Sequence, residues 1–379
     1  MSEETRQRAL DSLGILDTPP DDRIDRVVRM AREVFGVPMV SVSLIDGDRQ
    51  WRKSQVGLGG DEAPREGAFC DVTIRRPDTL IVEDAARDDR FAGNPYVVGD
   101  PHLRFYAGHP LTAPDGERVG SFCIMDTEPR HLDDHSREML RDMALWVQSE
   151  LMTARELDGA AMVQRALLPA TNPVVPGYTL AARAIPAERL LGDFYDWRLL
   201  GSTLRVTVAD VMGKGAGPAL IAATARASLR AAPDRPLPEA VAELDRALDE
   251  DFAGTGMFVT AVHGDIDVDT GDVSIVDAGH SLAFVLKADD TWVELRSTGL
   301  PLGMGFDERR TIARARLEPG DTFLCCSDGL LDILDPADPF EHVRRVLRDR
   351  GPDGAVEEAA RLAVGAHDDV TVVVVQRDR

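Results

Sequence analysis

The sequence predicts an α+β protein. An antiparallel sheet with helices is followed by a connecting helix and then by a β-sandwich flanked by helices, an α-β-β-α arrangement. Three features predict this fold class: two regions rich in short β-type runs, one long helical segment between them, and paired helices inserted among the later runs. The 379 residues suffice for two domains of about 100–200 residues. We expect domains at 1–134 and 169–379, joined by a helix over 135–168.

Composition limits the class of partner. The formal net charge is −23, and so acidic a chain would repel a polyanion such as nucleic acid. Four cysteines are too few for a disulfide scaffold, and they lack zinc-type spacing. The N-terminus has no apolar signal core, and no run approaches the roughly 18 apolar residues of a membrane helix. We therefore expect a cytoplasmic protein that does not contact a membrane.

Helix and strand signals alternate in the first region. Residues 21–35 place six apolar side chains on one helical stripe, directly after the Pro-Pro turn at 19–20. The Asp-Gly pairs at 46–47 and 115–116 are typical of hairpin turns. These signals predict an antiparallel sheet with strands at 39–45, 50–56, 79–84, 104–111 and 118–126.

A long helical segment follows this sheet. It can begin after a capping Asp at 133 or 134, and Pro169 stops it. Apolar residues along it step by four and three, as in a coiled-coil seam, with one irregular three-residue step before Leu157. Two interpretations stay open: one amphipathic helix packed on its own domain, or a dimeric connecting helix that would make the protein a homodimer.

Pro- and Gly-rich residues 169–177 open the second region. Many short β-type runs with helices between them predict a sandwich flanked by helices. The expected helices cover 218–232, 238–252, 339–350 and 355–365. The expected strands cover 179–185, 194–200, 203–210, 257–267, 272–278, 282–288, 321–328 and 370–376.

Aspartates stand at the ends of several of these strands. Because side chains alternate between the two faces of a strand, Asp210 and Asp328 continue the core-facing side of the strands they end. Asp368 and Asp369 precede the last strand, and Asp193 begins its own. If the last strand runs antiparallel to the others, these carboxylates converge at one end of the sandwich.

Clustered carboxylates need a counter-charge, because an unpaired buried carboxylate is costly. Oxygen ligands without a neighbouring His or Cys favour Mg²⁺ or Mn²⁺. Two such ions, about 3.5–4 Å apart, can activate a water molecule and stabilise an in-line displacement at phosphorus. The alternative treats each Asp separately as a turn residue, since Asp-Gly and Asp-Asp pairs are common in turns.

The segment DVMGKGAG at 210–217 fails both common nucleotide-binding patterns. It lacks the third Gly of G-x-G-x-x-G and the spacing of the Walker loop. We therefore expect its glycines to let the backbone turn beside the metal ligands, and Lys214 to be a solvated loop residue. His280, in a turn between two strands, is interpreted as structural rather than as a ligand or acid.

Five motifs occur in order in the second region: LGDFYD (191–196), DVMGKG (210–215), AGH (278–280), SDG (327–329) and DDVT (368–371). With this set the region resembles the metal-dependent Ser/Thr protein phosphatases of the PPM (type 2C) superfamily, and specifically their bacterial SpoIIE/RsbU-like branch. The ordered set is specific, although each motif alone is weak. Leu191 and Lys214 depart from that branch, which usually has Gly and frequently has His at these places.

The resemblance implies roles for particular residues. Asp210 would bridge two Mn²⁺ or Mg²⁺ ions, and with Asp193 it forms the expected catalytic pair. Asp368 is preferred as the last ligand, with Asp369 as the alternative. The full set of expected metal ligands is Asp193, Asp210, Val211 (through its carbonyl oxygen), Asp328, and Asp368 or Asp369.

The first region resembles GAF sensor domains through LGILDTPPDDRID (13–25), VSLIDGDRQW (42–51) and FYAGHPL (105–111). GAF domains bind varied small molecules, so the resemblance implies a small ligand without naming it. For Cys70 and Cys123 we expect core or pocket roles rather than a redox role. No basic cluster flanks them, and Asp71 beside Cys70 would raise the pKa of that thiol.

Together the two resemblances predict a Mn²⁺/Mg²⁺-dependent protein phosphatase with a regulatory GAF domain. The implied substrate is a phosphorylated anti-sigma-factor antagonist of the STAS type in a bacterial partner-switching pathway. One alternative is a catalytically silent regulator that binds a partner, although such a protein has no need of four costly carboxylates. Another is a small-molecule sensor protein whose second half is only a scaffold.

Overall fold

The computed structural model describes residues 2–231, 235–252, 256–296, 299–306, 309–335 and 338–379. The chain divides into two compact units, residues 1–156 and 157–379. The last residue of the helix predicted at 218–232 lies outside the described residues. Among the helices of the described ranges, none combines the length and the apolar character that crossing a lipid bilayer requires.

The first unit is built on a six-stranded antiparallel sheet with the strand order β3-β2-β1-β6-β5-β4. Its strands are β1 Met39–Asp46, β2 Arg49–Val56, β3 Glu62–Pro64, β4 Leu80–Val82, β5 Phe105–Thr112 and β6 Arg118–Asp126. Its helices are α1 Glu3–Leu13, α2 Asp22–Phe35, α3 Phe69–Ile74, α4 Pro95–Val98 and the start of α5 Asp134–Leu167, with a 3-10 turn at Ala85–Arg87. The predicted antiparallel sheet with helices is thus confirmed.

Strand alternation gives the two faces of this sheet different layers. In β1, Val40, Val42 and Leu44 pack with α1, α2 and α5, whereas Met39 and Ile45 pack on the face that carries α3 and α4. The second face also contains buried hydroxyl and thiol groups, which become important below.

Helix α5 packs on the first unit over its N-terminal part. The predicted seam residues Leu140, Ala144, Val147 and Leu151 are buried in the core of that unit. Over this stretch the structure therefore favours the amphipathic helix packed on its own domain.

The described residues of the second unit form two five-stranded antiparallel sheets, ordered β14-β11-β10-β9-β8 and β13-β12-β15-β16-β7. The strands are β7 Tyr178–Ile185, β8 Phe194–Leu200, β9 Thr203–Val211, β10 Val259–Asp267, β11 Asp272–Ala278, β12 Ala283–Leu286, β13 Trp292–Glu294, β14 Ala313–Arg316, β15 Thr322–Cys326 and β16 Val370–Arg377. The helices are α6 Ala216–Ala231, α7 Leu237–Phe252, α8 Asp328–Asp332 and α9 Pro339–Leu362. Two strands, β13 and β14, escape the sequence pattern because they are short and largely exposed.

Three hydrophobic layers hold this unit together. One lies between the two sheets, a second between the first sheet and α6 with α7, and a third between the second sheet and α8 with α9. The predicted α-β-β-α sandwich is therefore confirmed. Helix α9 is kinked where Gly351 adopts φ 66° before Pro352, close to the break that the sequence predicted between two helices.

Candidate metal centre

Asp210 reaches one end of the sandwich through strand alternation. In β9, Leu204, Val206 and Val208 point into the layer between the sheets, and Asp210 continues their face beyond the last of them. It lies opposite Thr260 of β10 and is partly exposed. Asp210 therefore lies on the core-facing side of its strand, as the alternation of side chains in the sequence predicted.

Asp193 lies at the start of β8 and is only 2% exposed. Tyr195 and Trp197, which share its face, pack edge to face in the layer between the sheets, as the spacing predicts. Within the described residues, Asp193 Oδ2 is buried and has no hydrogen-bond partner. A buried carboxylate oxygen in this state needs a counter-charge to be stable.

Asp328 arrives by a different route from the one the alternation predicted. Strand β15 ends at Cys326, whose side chain packs towards α9 rather than between the sheets, and Asp328 begins α8. Ser327 forms the connection: its N–H donates to the carbonyl oxygen of Thr371 at 2.9 Å, and its hydroxyl donates to that of Asp369 at 3.2 Å. The turn after β15 thereby brings Asp328 beside the start of β16.

The electrostatics show that these carboxylates act on one another. Burial raises the pKa of Asp193 well above its usual value, and the charge of Asp210 adds to this effect. The pKa of Asp210 is raised to about 6. Burial is the largest cause, and the charges of Asp328 and Asp368 raise it further. Asp328 reaches solvent, yet desolvation and then the charge of Asp368 raise its pKa as well. The structure thus brings these four residues, hereafter the carboxylate cluster, into electrostatic contact.

The two residues of the Asp368–Asp369 doublet have different surroundings. One carboxylate oxygen of Asp369 accepts the N–H of Ala187 at 2.8 Å, and the other accepts that of Gly192 at 2.7 Å. Asp369 therefore holds the loop that leads to Asp193. Asp368 is half-exposed and directs Oδ1 to the N–H of Asp369, at 2.9 Å, and to Lys214. Sequence alone cannot assign different roles to two adjacent aspartates, because only their tertiary contacts distinguish them.

Backbone oxygens close one side of the cluster. A Cβ atom at Gly192 would lie 3.1 Å from the carbonyl oxygen of Val211 and 3.2 Å from that of Gly213. These carbonyl oxygens therefore lie over the residue directly before Asp193. The Val211 N–H donates to the Gly192 carbonyl oxygen at 3.3 Å, which fixes β9 against this loop.

Lys214 is an exposed loop residue, as predicted, but it also forms an ion pair that the sequence did not predict. Its Nζ lies 3.3 Å from Asp368 Oδ1, and it also donates a hydrogen bond to the carbonyl oxygen of His367. The glycines at 213 and 215, with φ of 97° and 91°, form the turn that carries Lys214 back over the cluster. A single basic residue between glycines gives no pattern from which this pairing could have been predicted.

The side chains do not form a ready-made ligand cage. Among the described residues, no group of three or more His, Cys, Asp or Glu is placed so that it could hold a metal ion. The donor set nevertheless fits a hard divalent cation, because it consists of carboxylate and carbonyl oxygens and includes the unpartnered Asp193 Oδ2.

Two further polar residues are structural. His280 is buried between Thr260 Oγ1, 2.9 Å from Nδ1, and the carbonyl oxygen of Cys326, 2.8 Å from Nε2. Burial lowers its pKa to about 4, which keeps it neutral at pH 7, and both ring nitrogens are engaged within the fold, as a structural role requires. Asp196 lies on the other face of β8, where it accepts the N–H of Trp197 and pairs with Arg230 at 2.6 Å.

Gly329 offers a test of how tightly the cluster is built. A Cβ atom there would lie 2.1 Å from the carbonyl oxygen of Asp369, so Gly329→Ala must displace the backbone at Asp369, directly before β16. We expect it to lower the free energy of unfolding by about 1–3 kcal/mol, measured by urea denaturation. Gly217→Ala, in α6 with nothing within 4 Å, is the control and should be neutral or stabilising by up to about 1 kcal/mol. Equal effects of the two substitutions would contradict this packing.

Comparison with known proteins agrees with the predicted fold. Residues 19–151 match the GAF domain family model, and residues 201–378 match the model described as Stage II sporulation protein E (SpoIIE). The second match contains every predicted ligand except Asp193, which lies just before it. The chain therefore carries a GAF domain followed by a SpoIIE-type domain.

Three relatives illustrate the similarity. The chain is 37% identical to Cyclic di-GMP phosphodiesterase PA2567 of Pseudomonas aeruginosa over 154 residues. This aligned stretch covers 40% of this chain and 26% of that protein. It is 24% identical over 244 residues to Phosphoserine phosphatase RsbU of Bacillus subtilis, covering 61% of this chain and 72% of the relative. The solved RsbU and RsbW domains of Rv1364c from Mycobacterium tuberculosis superpose with a TM-score of 0.50 at 26% identity, covering 56% and 63% of the two chains. The chain thus spans about a quarter of the length of the Pseudomonas relative.

Proposed function

We propose that the second unit is a Mn²⁺- or Mg²⁺-dependent phosphatase that removes phosphate from phosphoserine or phosphothreonine in a protein. The observation that carries this proposal is the convergence of Asp193 and Asp210 from one sheet with Asp328 and Asp368 from the other. These carboxylates, with the carbonyl oxygen of Val211, would hold two ions, and Asp193 and Asp210 would be the catalytic pair. Asp369 is the less suitable ligand, because both of its oxygens accept backbone N–H groups.

The residues of the chain have separable tasks in this proposal. When bound, divalent cations supply an activated water and a counter-charge for the phosphoryl oxygens. Asp210 must be ionised to serve both ions, and the cations favour that state over the protonated one that burial otherwise favours. Asp369 positions Asp193 by fixing the loop at Ala187 and Gly192.

We further propose a regulatory arrangement of the chain. A GAF domain over 1–134 would bind a small ligand, a helix over 135–168 would connect it to the phosphatase domain over 169–379, and the protein would be a cytoplasmic homodimer. The substrate would be a phosphorylated anti-sigma-factor antagonist of the STAS type. The similarity to RsbU and to the RsbU and RsbW domains of Rv1364c supports this substrate class.

Release of inorganic phosphate tests the proposal. The full chain is incubated with a STAS-type antagonist phosphorylated on serine, with Mn²⁺ or with EDTA. We expect phosphate release that requires Mn²⁺. Absence of release from this and other phosphoproteins, together with a Mn²⁺-dependent rise in melting temperature, would favour the silent partner-binding regulator. Absence of both effects would favour the small-molecule sensor with a scaffold domain.

Lys214 should weaken cation binding, because its ammonium group forms an ion pair with Asp368 and so competes with a cation for that carboxylate. We expect Lys214→Ala to lower the apparent Kd for Mn²⁺ by about 2–5-fold, the modest effect typical of a partly exposed ion pair. The Kd is measured from the melting temperature as a function of Mn²⁺ concentration. Arg246→Ala, which removes one positive charge from the exposed face of α7, is the control. An unchanged Kd with a raised KM would instead assign Lys214 to substrate binding.

A further inference from the structure

Two cysteines meet inside the first unit. Cys70 lies in α3 and Cys123 in β6, and their Sγ atoms are 3.8 Å apart. Both side chains are almost fully buried on the sheet face that carries α3 and α4. They are 53 residues apart in the chain, so the fold rather than the local sequence brings the two sulfurs together.

Polar groups surround these sulfurs in an otherwise apolar layer. The Tyr106 hydroxyl lies 2.7 Å from Thr73 Oγ1 and donates to Cys70 Sγ at 3.7 Å. The Cys123 thiol donates to the carbonyl oxygen of Ser41 at 3.5 Å. The Cys123 thiol can instead turn its one proton to Cys70 Sγ, 3.8 Å away. Cys70 then accepts from both Tyr106 and Cys123, which is the arrangement that stabilises a thiolate.

The expectation that Asp71 raises the pKa of Cys70 is wrong. The Asp71 carboxylate pairs with Arg65 at 2.8 Å and with Arg75 at 2.5 Å, so its charge is compensated. The hydrogen bond from Cys123 lowers the pKa of Cys70 to about 6, and this outweighs the opposing effect of burial. Neither partner of Asp71 nor the contact between the thiols can be read from the sequence.

A cavity connects Cys70 to the surface. Its volume is about 260 Å³, and Cys70 and Tyr106 form part of its wall. Gly59 and Asp100, which also line it, are exposed and lie at its mouth. The space exceeds that of several water molecules, so a small solute can reach the part of the wall that Cys70 forms.

We propose that Cys70 and Cys123 form a dithiol that a small peroxide, entering through this cavity, oxidises to a disulfide. The Cys70 thiolate attacks one peroxide oxygen, the O–O bond breaks, and the leaving hydroxide is released as water after protonation. Cys70 is then a sulfenic acid. The Cys123 sulfur attacks the Cys70 sulfur, the S–O bond breaks, and a second water leaves. Two thiols and one hydrogen peroxide thus give one disulfide and two waters.

The geometry assigns different tasks to the two residues. Cys70 lines the cavity and accepts hydrogen bonds, so it is the residue that attacks the peroxide and is oxidised first, whereas Cys123 is not part of the cavity wall and resolves the sulfenic acid. The sulfurs must approach by about 1.8 Å to reach the bonded distance of about 2.0 Å. The product would tie α3 to β6 beside the cavity.

Peptide mapping of the wild-type full chain tests the proposal without relying on a variant. The protein is treated with hydrogen peroxide, the remaining thiols are alkylated, and the digest is analysed by mass spectrometry. We expect a disulfide between Cys70 and Cys123 that forms at least about tenfold faster than oxidation of Cys325 or Cys326, and that dithiothreitol reverses. Those two residues are internal controls, because both are buried and burial raises the pKa of each thiol.

Two variants then separate the steps. Cys123→Ser should stop at a Cys70 sulfenic acid that dimedone traps, whereas Cys70→Ser should leave Cys123 reduced; thermal melts verify that each variant is folded. The proposal is overturned if both residues remain reduced in the wild-type chain at peroxide concentrations that oxidise a free cysteine peptide. It is equally overturned if Cys70 proceeds to sulfinic acid without a disulfide, or if Cys123 is oxidised in Cys70→Ser.

Discussion

Asp210→Asn abolishes phosphate release: we expect kcat/KM to fall at least about 10³-fold, a loss of about 4 kcal/mol of transition-state stabilisation. The pKa of Asp210 responds to Asp328 and Asp368, and its own charge raises that of Asp193, so this carboxylate interacts with every other member of the cluster. Asn has nearly the same shape but carries no charge to share between two cations. Phosphate release with Mn²⁺ at pH 7 measures the effect.

The fold should survive this substitution. Asp210 is partly exposed, and Asn retains an acceptor oxygen, so the melting temperature without divalent cations should not fall. Asp272→Asn makes the same chemical change at an exposed position that begins β11, and it should leave kcat/KM unchanged. Activity of Asp210→Asn within about tenfold of the wild type would contradict the two-ion interpretation, since a bridging charge is worth more than that.

The pattern of the strands predicted a large part of the architecture, for an identifiable reason. In β9 every second residue, Leu204, Val206 and Val208, is apolar because that face of the strand is buried. Asp210 is the next residue on the same face, so the same alternation predicts its position at the end of the sandwich. Gly351 and Pro352 mark the kink in α9 through backbone conformation alone. Short exposed strands such as β14 carry no burial period, so they could not be recognised.

Site residues could be predicted only where the alternation of side chains along a strand determines their position. Asp328 was selected as the end of a strand, yet it is a turn through Ser327 that brings it to the cluster. The tasks of Asp368 and Asp369 are separated by the loop at Gly192, which is far away in the chain. The pairing of Lys214 with Asp368 is likewise a tertiary contact.

Divalent cations should stabilise the second unit strongly at neutral pH. A cation that binds only the folded chain adds about 2.7 kcal/mol at a concentration of 100 times its Kd, and two ions add about twice that. In the carboxylate cluster a positive charge offsets both the cost of burial and the mutual repulsion, which together raise the pKa values of Asp193 and Asp210. We expect Mn²⁺ or Mg²⁺ to raise the melting temperature by several degrees, measured by differential scanning calorimetry.

The direction of the pH dependence follows from Asp210. Its pKa rises from an ordinary 3.8 to about 6 on folding, so the folded chain holds this proton more strongly than the unfolded chain does. In the metal-free protein this group therefore favours folding below about pH 4, and that contribution is lost as the pH rises to about 6. Cations bind the ionised carboxylate, so the Mn²⁺-induced rise should be largest above about pH 7 and should disappear near about pH 5.

A double variant locates the effect. Asp328→Ala with Asp368→Ala removes the two ligands that come from the second sheet, and the Mn²⁺-induced rise should vanish. Repulsion within the cluster also falls, so the metal-free variant should melt no lower than the metal-free wild type at pH 7. With a net charge of −23 the surface offers many weak sites for cations. If the variant keeps the full rise, the ions bind at that surface and the carboxylate cluster is not the metal centre.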